Sequence, residues 1–321
     1  MSAMAISKPL ICLMGPTASG KTAAAMALHD ELPITLISVD SAQVYRHMNI
    51  GTGKPEPALL ARYPHALLDI VEPEQAYSAA MFAADALVAV ESAWAREQVP
   101  LLVGGTGLYY RALLEGLHPL PKADAGLRQS FEEDARELGW PAVHARLATL
   151  DPPTAARLHV NDAQRIQRAL EVCVLTGKRY SDLTAGDTSP RLAVQPLKLI
   201  VSPAERATLH RRIEVRFRQM LDAGLVREVE QLRARPEVHA ALPSMRSVGY
   251  RQVWAFLEGI ITAAQLPDRG VFATRQLARR QLTWLRRERD AHWMDSSDDS
   301  LVSNLASLVR SYLDVPIASR G

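Results

Sequence analysis

The 321-residue chain is 48% hydrophobic and 22% charged, enough apolar material for a large core, and its length predicts two lobes rather than one compact unit. No run reaches the ~20 apolar residues that cross a bilayer, and no charged stretch leads into an apolar run with a cleavage site, so neither export nor membrane insertion is expected. The net charge of +2 hides an asymmetry: residues 1–120 hold 7 Lys/Arg against 11 Asp/Glu, whereas residues 205–290 hold 17 Arg, no Lys and 10 Asp/Glu. Planar guanidinium groups contact phosphates and base edges in pairs of hydrogen bonds, so the arginine-rich stretch makes nucleic acid a candidate partner, with a plain solvated helical surface as the alternative.

In chain order, short apolar runs at 10–14, 34–39, 67–71, 101–103 and 197–201 predict strands of a parallel sheet covered on both faces, because most are separated by helical patterns. Helices are predicted over 21–32 and over 78–98, the second with Ser78 as N-cap and Pro100 as its stop. From 120 to 196 the text turns helical and rich in Arg and Ala between Pro119, Pro121 and Pro196, which predicts a helical insertion into a core made of 1–119 and 197–321. Further helices are expected around 203–223, 225–235, 251–258 and 271–289, and the last few residues have the composition of a disordered tail. Cys12 and Cys173 lie far apart, and Cys12 sits inside an apolar strand pattern. Reduced, buried thiols and a cytoplasmic location are expected.

Gly15-Pro16-Thr17-Ala18-Ser19-Gly20-Lys21-Thr22 fits G-x-x-x-x-G-K-[ST], placed after a strand and opening a helix. Such a loop cradles a polyphosphate, a nucleotide or some other diphosphate: its amides and the helix N-terminus face the anion, Lys21 adds a point charge, and Thr22 is suited to Mg2+. The second strand ends at Asp40, which the rule for open α/β sheets puts near the cradle as a metal ligand, a proton acceptor or the cap of a turn. Asp69, after the third strand, is a weaker metal-side carboxylate. Gly104-Gly105-Thr106-Gly107 after the fourth strand implies a second ligand-facing loop. The nine histidines and two cysteines show no zinc-ligand spacing.

Six segments in one order, GPTASGKT, VDSAQVY, Asn49 to Pro55 (NIGTGKP), GGTGLYY, QRIQR at Gln164–Arg168 and RSVGYR at Arg246–Arg251, together resemble the bacterial tRNA dimethylallyltransferases over nearly the whole chain. The resemblance implies an α/β, P-loop NTPase-like parallel sheet flanked by helices, with a helical insertion domain that contacts tRNA. It implies transfer of a dimethylallyl group from dimethylallyl diphosphate to N6 of the adenine 3′-adjacent to the anticodon. It also implies the roles: Asp40 as general base, Thr106 at the bridging oxygen, Arg216 at the diphosphate with Arg212 and Arg218 as near alternatives, and Mg2+ on Thr22. The tRNA anticodon stem-loop would then meet Asp40, Ser41, Ala42, Gln43, Thr106, Arg128, Gln164, Arg165, Ile166, Gln167, Arg168, Arg246, Ser247, Val248, Gly249, Tyr250, Arg251, Arg279, Arg280 and Arg286. Gln164 and Arg168 share a helix face, while Ile166 can bury. The segment from Arg275 to Arg289 reads as a basic helix carrying Trp284, with a phosphate-facing side and an inward side.

Two rival readings remain open on the residues alone. A P-loop kinase of a nucleoside or small metabolite would use the same cradle with ATP, and a non-catalytic RNA-binding module would leave Asp40 and Thr106 without a task. Nothing in the sequence demands more than a monomer.

Overall fold

The structure, a computed structural model, describes residues 8–186, 188, 192 and 194–314. The tail expected to be disordered lies outside the described residues. The chain divides into two compact units, Met1–Glu115 with Pro190–Gly321, and Gly116–Ser189.

The larger unit is built on β1 (Ile11–Met14), α1 (Lys21–Glu31), β2 (Ile34–Val39), α2 (Pro57–Arg62), β3 (His65–Ala66), α3 (Ala79–Ala95), β4 (Val99–Gly104) and α4 (Gly107–Leu114). Among its described residues the smaller unit contains only helices: α5 (Ala125–Leu138), α6 (Trp140–Leu150), α7 (Pro152–Arg157), α8 (Ala163–Thr176) and α9 (Tyr180–Leu183). The larger unit resumes with β5 (Leu197–Ser202), α10 (Arg206–Asp222), α11 (Leu225–Arg233), α12 (Tyr250–Leu257), α13 (Leu266–Leu285), β6 (Ala291–Asp295) and α14 (Leu301–Asp314).

The six strands are all parallel, in the order β3-β2-β4-β1-β5-β6. β1 and β4 are buried on both faces, as their unbroken apolar text requires. One face packs Ile11, Leu13, Leu36 and Leu199 with α1 and α14; the other packs Cys12, Ile37, Leu102 and Ile200 with α3 and α4. The C-terminal helices share a third core with Val44, Tyr45 and Met48, and the helical unit has its own around Phe131, Leu147, Ile166 and Leu170. Cys12 and Cys173 are free and buried.

Three sequence expectations are corrected, and two elements were not expected. Only His65 and Ala66 pair as a strand where 67–71 was expected, since Leu67 and Asp69 adopt left-handed backbone (φ 64° and 53°) that no ladder accepts; Val71 meets Tyr45 in a single bridge. α3 keeps its Ser78 cap, the hydroxyl accepting from Met81 N–H at 3.2 Å, yet ends at Ala95, so Pro100 lies inside β4 instead of stopping the helix. That proline precedes the stretch of β4 paired with β1, where its missing N–H costs no bond on that side. The helix expected to begin at 271 begins at Leu266. β6 went unforeseen, because AHWMD has little apolar periodicity and follows an arginine-rich helix; α14 was also missed, although its buried Leu305, Ala306 and Val309 recur at helical spacing.

Candidate active site

The carboxyl ends of β1, β2, β4 and β5 converge on the 15–22 loop. Gly15 must be glycine: a Cβ there would lie 2.3 Å from Val201 O and 2.7 Å from Ser19 Oγ. Gly20 is left-handed (φ 95°) as N-cap of α1. Ser19 Oγ is buried and has no hydrogen-bond partner among the described residues, an orphan donor inside the cradle that a phosphate oxygen would satisfy. Enclosure in the loop pushes the Lys21 ammonium down to about 8, with Asp40 pulling it back up and Arg216 pushing it further down. Thr22 opens α1 one residue later.

Asp40 follows β2 and closes the next turn: both of its turn bonds fall on Oδ1, from Ala42 N–H at 2.9 Å and Gln43 N–H at 3.3 Å. The capping role therefore coexists with an acceptor, Oδ2, that no described hydrogen bond engages. Thr106 lies beyond β4, the strand paired with β2, and its Oγ1 accepts from Ser41 N–H at 3.1 Å and reaches Ser41 Oγ at 3.4 Å. The two strand ends thus hold Asp40 and Thr106 side by side.

α10 turns Leu209, Ile213 and Phe217 into the core, so Arg212 and Arg216, four residues apart, share the neighbouring face. Their surroundings differ. Arg212 spends its guanidinium on Ser19 O (3.4 Å), Ser296 Oγ (2.7 Å), Ser296 O (3.2 Å) and Ser297 Oγ (3.3 Å), fastening the loop after β6 to the cradle. Arg216 makes one long contact, to Gly53 O at 3.5 Å; burial lowers its pKa and the Asp40 charge raises it. Arg218 pairs with Glu214 at 3.0 Å on the exposed side. Of the three, Arg216 is the one that has donors to spare and feels the charges of Asp40 and Lys21. Asp69, by contrast, is taken by the buried Lys54 ammonium at 2.6 Å, a poor state for a metal ligand.

The remaining candidates divide by accessibility. Gln43 is occupied within the fold, its Oε1 accepting from Ser38 Oγ at 3.2 Å and its Nε2 reaching Thr52 O at 3.3 Å, while Ser41 is exposed. In the helical unit Gln164 and Arg165 are exposed, whereas Ile166 is fully buried and Gln167 nearly so, donating to Arg128 O at 3.1 Å. Neither Ile166 nor Gln167 can offer its side chain to a partner in this conformation. Arg128 and Arg168 both bind Glu171; burial alone would raise that carboxyl, but these hydrogen bonds and the Asp124 N–H hold it below its usual value. In the 246–251 segment, Arg246 and Arg251 are exposed, Ser247 and Val248 half-buried, and Gly249 and Tyr250 internal. Tyr250 therefore turns its side chain to the interior, away from any outside partner. On α13, Arg279, Arg280 and Arg286 are exposed on one side, while Trp284 packs on Gly107, where a Cβ would be 2.6 Å from the indole.

The family model described as IPP transferase matches residues 43–288. The chain is 54% identical over 305 residues to the tRNA dimethylallyltransferase of Dechloromonas aromatica (strain RCB), covering 95% of this chain and 97% of the relative. It is 56% identical over 305 residues to the enzyme of the same name from Thiobacillus denitrificans (strain ATCC 25259 / T1), with the same coverage. The chain belongs to the IPP transferase family. Its fold is shared with the solved full-length tRNA isopentenylpyrophosphate transferase of Bacillus halodurans, at a TM-score of 0.71 and 32% identity over 96% of this chain and 97% of that one.

Within this IPP transferase site, sequence reading missed two side chains. Gln281 of α13 accepts from Thr17 N–H at 2.8 Å and donates to Gly105 O at 3.1 Å, tying the cradle to the Thr106 loop. Glu228 of α11 accepts from the backbone of residues 49–51. Both stand among arginines or on an amphipathic helix, where no pattern marks a polar residue as inward.

Proposed function

We propose that the chain transfers a dimethylallyl group from dimethylallyl diphosphate to N6 of the adenine 3′-adjacent to the anticodon of tRNA. The observation that carries this reading is the pairing of Asp40 and Thr106 at adjacent strand ends beside a polyphosphate loop. In the step, N6 bonds to the prenyl C1, the C1–O bond breaks with its electron pair leaving on the diphosphate, and the N6 proton passes to Asp40 Oδ2. Thr106 Oγ1 would exchange its long contact with Ser41 for the bridging oxygen. Lys21, Arg216, the loop amides and Ser19 Oγ stabilise charge as it builds on the leaving group. The exposed Arg279, Arg280, Arg286, Arg246, Arg251, Gln164 and Arg165 suit an anticodon stem-loop, whose unpaired adenine is cheap to extrude.

Magnesium fits the donor set. Among the described residues no group of three or more His, Cys, Asp or Glu side chains could hold a metal by itself, so an ion on the Thr22 hydroxyl would complete its shell with diphosphate oxygens and water, as Mg2+ does. When bound it would add positive charge at the leaving group. The same proposal includes a cytoplasmic monomer. No helix among the described residues is long and apolar enough to cross a membrane.

Purified protein, unmodified tRNA and radiolabelled dimethylallyl diphosphate, beside a parallel reaction with labelled ATP, test the reading. Label from the prenyl donor in tRNA supports it; phosphate transfer from ATP to a small acceptor would support a kinase instead.

The Lys21 value gives a pH prediction. Protonated Lys21 attracts the anion, and the proton is lost as pH rises through about 8. Inorganic pyrophosphate affinity, measured by calorimetry with magnesium present, is expected to fall above pH 8 by up to about one log unit per pH unit, the slope for one linked proton. Lys21→Met should bind weakly and lose that slope; a wild-type profile that stays flat to pH 9.5 would contradict the assignment.

A further inference from the structure

The loop from Asn49 to Lys54 belongs to no strand or helix, yet it is fixed at both ends. At the far end Lys54, 2% exposed, donates to Tyr45 O at 2.9 Å, Asn49 Oδ1 at 3.0 Å and Asp69 at 2.6 Å. At the near end one buried carboxylate takes four donors. Glu228 Oε2 accepts from Asn49 N–H at 2.9 Å and Ile50 N–H at 2.8 Å, while Oε1 accepts from Gly51 N–H at 3.1 Å and Tyr250 O–H at 2.6 Å. Three consecutive amides around one anion form a nest, and charge-assisted bonds of this kind are about twice as strong as neutral ones. Tyr250 also presses on the loop: a Cβ at Gly51 would be 2.5 Å from its ring.

What lies between the two anchors faces the site. Thr52 O and Gly53 O receive Gln43 Nε2 at 3.3 and 3.5 Å, and Gly53 O receives Arg216 Nη2 at 3.5 Å. We propose that Glu228 is a positioning residue: by holding the amides of residues 49–51 it sets the carbonyl of Gly53, and through it aims the Arg216 guanidinium at the leaving diphosphate. Glu228 touches no substrate. The inference rests on the proposed reading of Arg216, and it gives Tyr250 a task, as the fourth donor to this carboxylate.

Glu228→Gln keeps one acceptor oxygen but turns an NH2 group toward backbone N–H groups. Its pyrophosphate dissociation constant, measured with magnesium at pH 7, is expected to rise about tenfold, roughly what the loss of a charged hydrogen bond costs. Prenyl-transfer kcat should fall with it while KM for tRNA holds within about twofold. On an Arg216→Ala background the same substitution should add less than about twofold, since groups acting through one another are not additive. A merely structural Glu228 would lower Tm and leave both readouts unchanged per folded molecule, or would add its full effect to Arg216→Ala; either result overturns the proposal. If the Gln variant does not fold, Tyr250→Phe decides, with an expected two- to threefold rise in the same constant, less than for Glu228→Gln because the carboxylate keeps its three backbone donors, and wild-type behaviour overturning it. Wild-type protein that binds pyrophosphate but prenylates no tRNA would sink the proposed reaction alone; wild-type protein that binds no pyrophosphate would sink both.

Discussion

Asp40→Asn is expected to lower kcat for prenyl transfer by about 10²–10⁴, the usual worth of a positioned general base, and to leave tRNA affinity within about threefold. The choice of asparagine follows from the turn. Oδ1 of Asp40 holds the Ala42 and Gln43 N–H groups, and an asparagine carbonyl keeps both bonds while removing the group that takes the proton. Asp40→Ala would lose the turn as well, adding a stability cost of about 1 kcal/mol by analogy with a lost helix cap and mixing two effects. The measurement is single-turnover transfer from labelled dimethylallyl diphosphate together with tRNA binding by filter retention. It belongs at pH 7 or below, because Asp40 helps keep the Lys21 proton in place and its loss would lower the Lys21 pKa further. An Asn variant within fivefold of wild type would assign the proton to another acceptor. A parallel loss of tRNA affinity would make Asp40 a binding group.

Much of this site was legible because its residues sit where a pattern has one meaning. Apolar runs buried on both faces gave β1, β2, β4 and β5, and the loop glycines mark places where backbone crowds backbone, as at Gly15 against Val201 O. The family resemblance rested on six short segments, and the family model and relatives bear it out. Sequence failed where a residue's role depends on a partner far along the chain. Glu228 meets an amide 179 residues away, and Gln281 meets Thr17 across 264, so neither separation leaves a periodic trace. β6 was hidden for a different reason: as an edge strand with all five of its residues partly or fully exposed, it needs no continuous apolar run. Tyr250 and Ile166 show the converse, residues inside a recognisable segment whose side chains turn inward, Ile166 into packing and Tyr250 onto Glu228.

Gly53→Ala is expected to reduce kcat/KM by about 10²-fold, on the scale of losing one preorganised donor to a developing anion, while the protein stays folded. Two causes act together. Gly53 has φ +61°, where an alanine costs roughly 1–2 kcal/mol, and its Cβ would lie 1.7 Å from Arg216 Nη2 and 2.7 Å from Arg216 Cζ. One group must move. The loop is held by Glu228 before Gly53 and by the buried Lys54 after it, so the guanidinium at the end of a flexible side chain yields first. Gly177→Ala isolates the backbone component: it shares a left-handed φ of +65° but has nothing within 4 Å of its added Cβ, so it should lower Tm by a few degrees and leave turnover unchanged. If displacement of Arg216 is the cause, Gly53→Ala and Arg216→Ala should lose turnover to similar extents, and the double variant should be no worse than about twofold below either. Gly53→Ala that merely melts earlier, with wild-type turnover at 25 °C, would mean that Arg216 can leave its place without consequence and that the diphosphate is held by the P-loop alone.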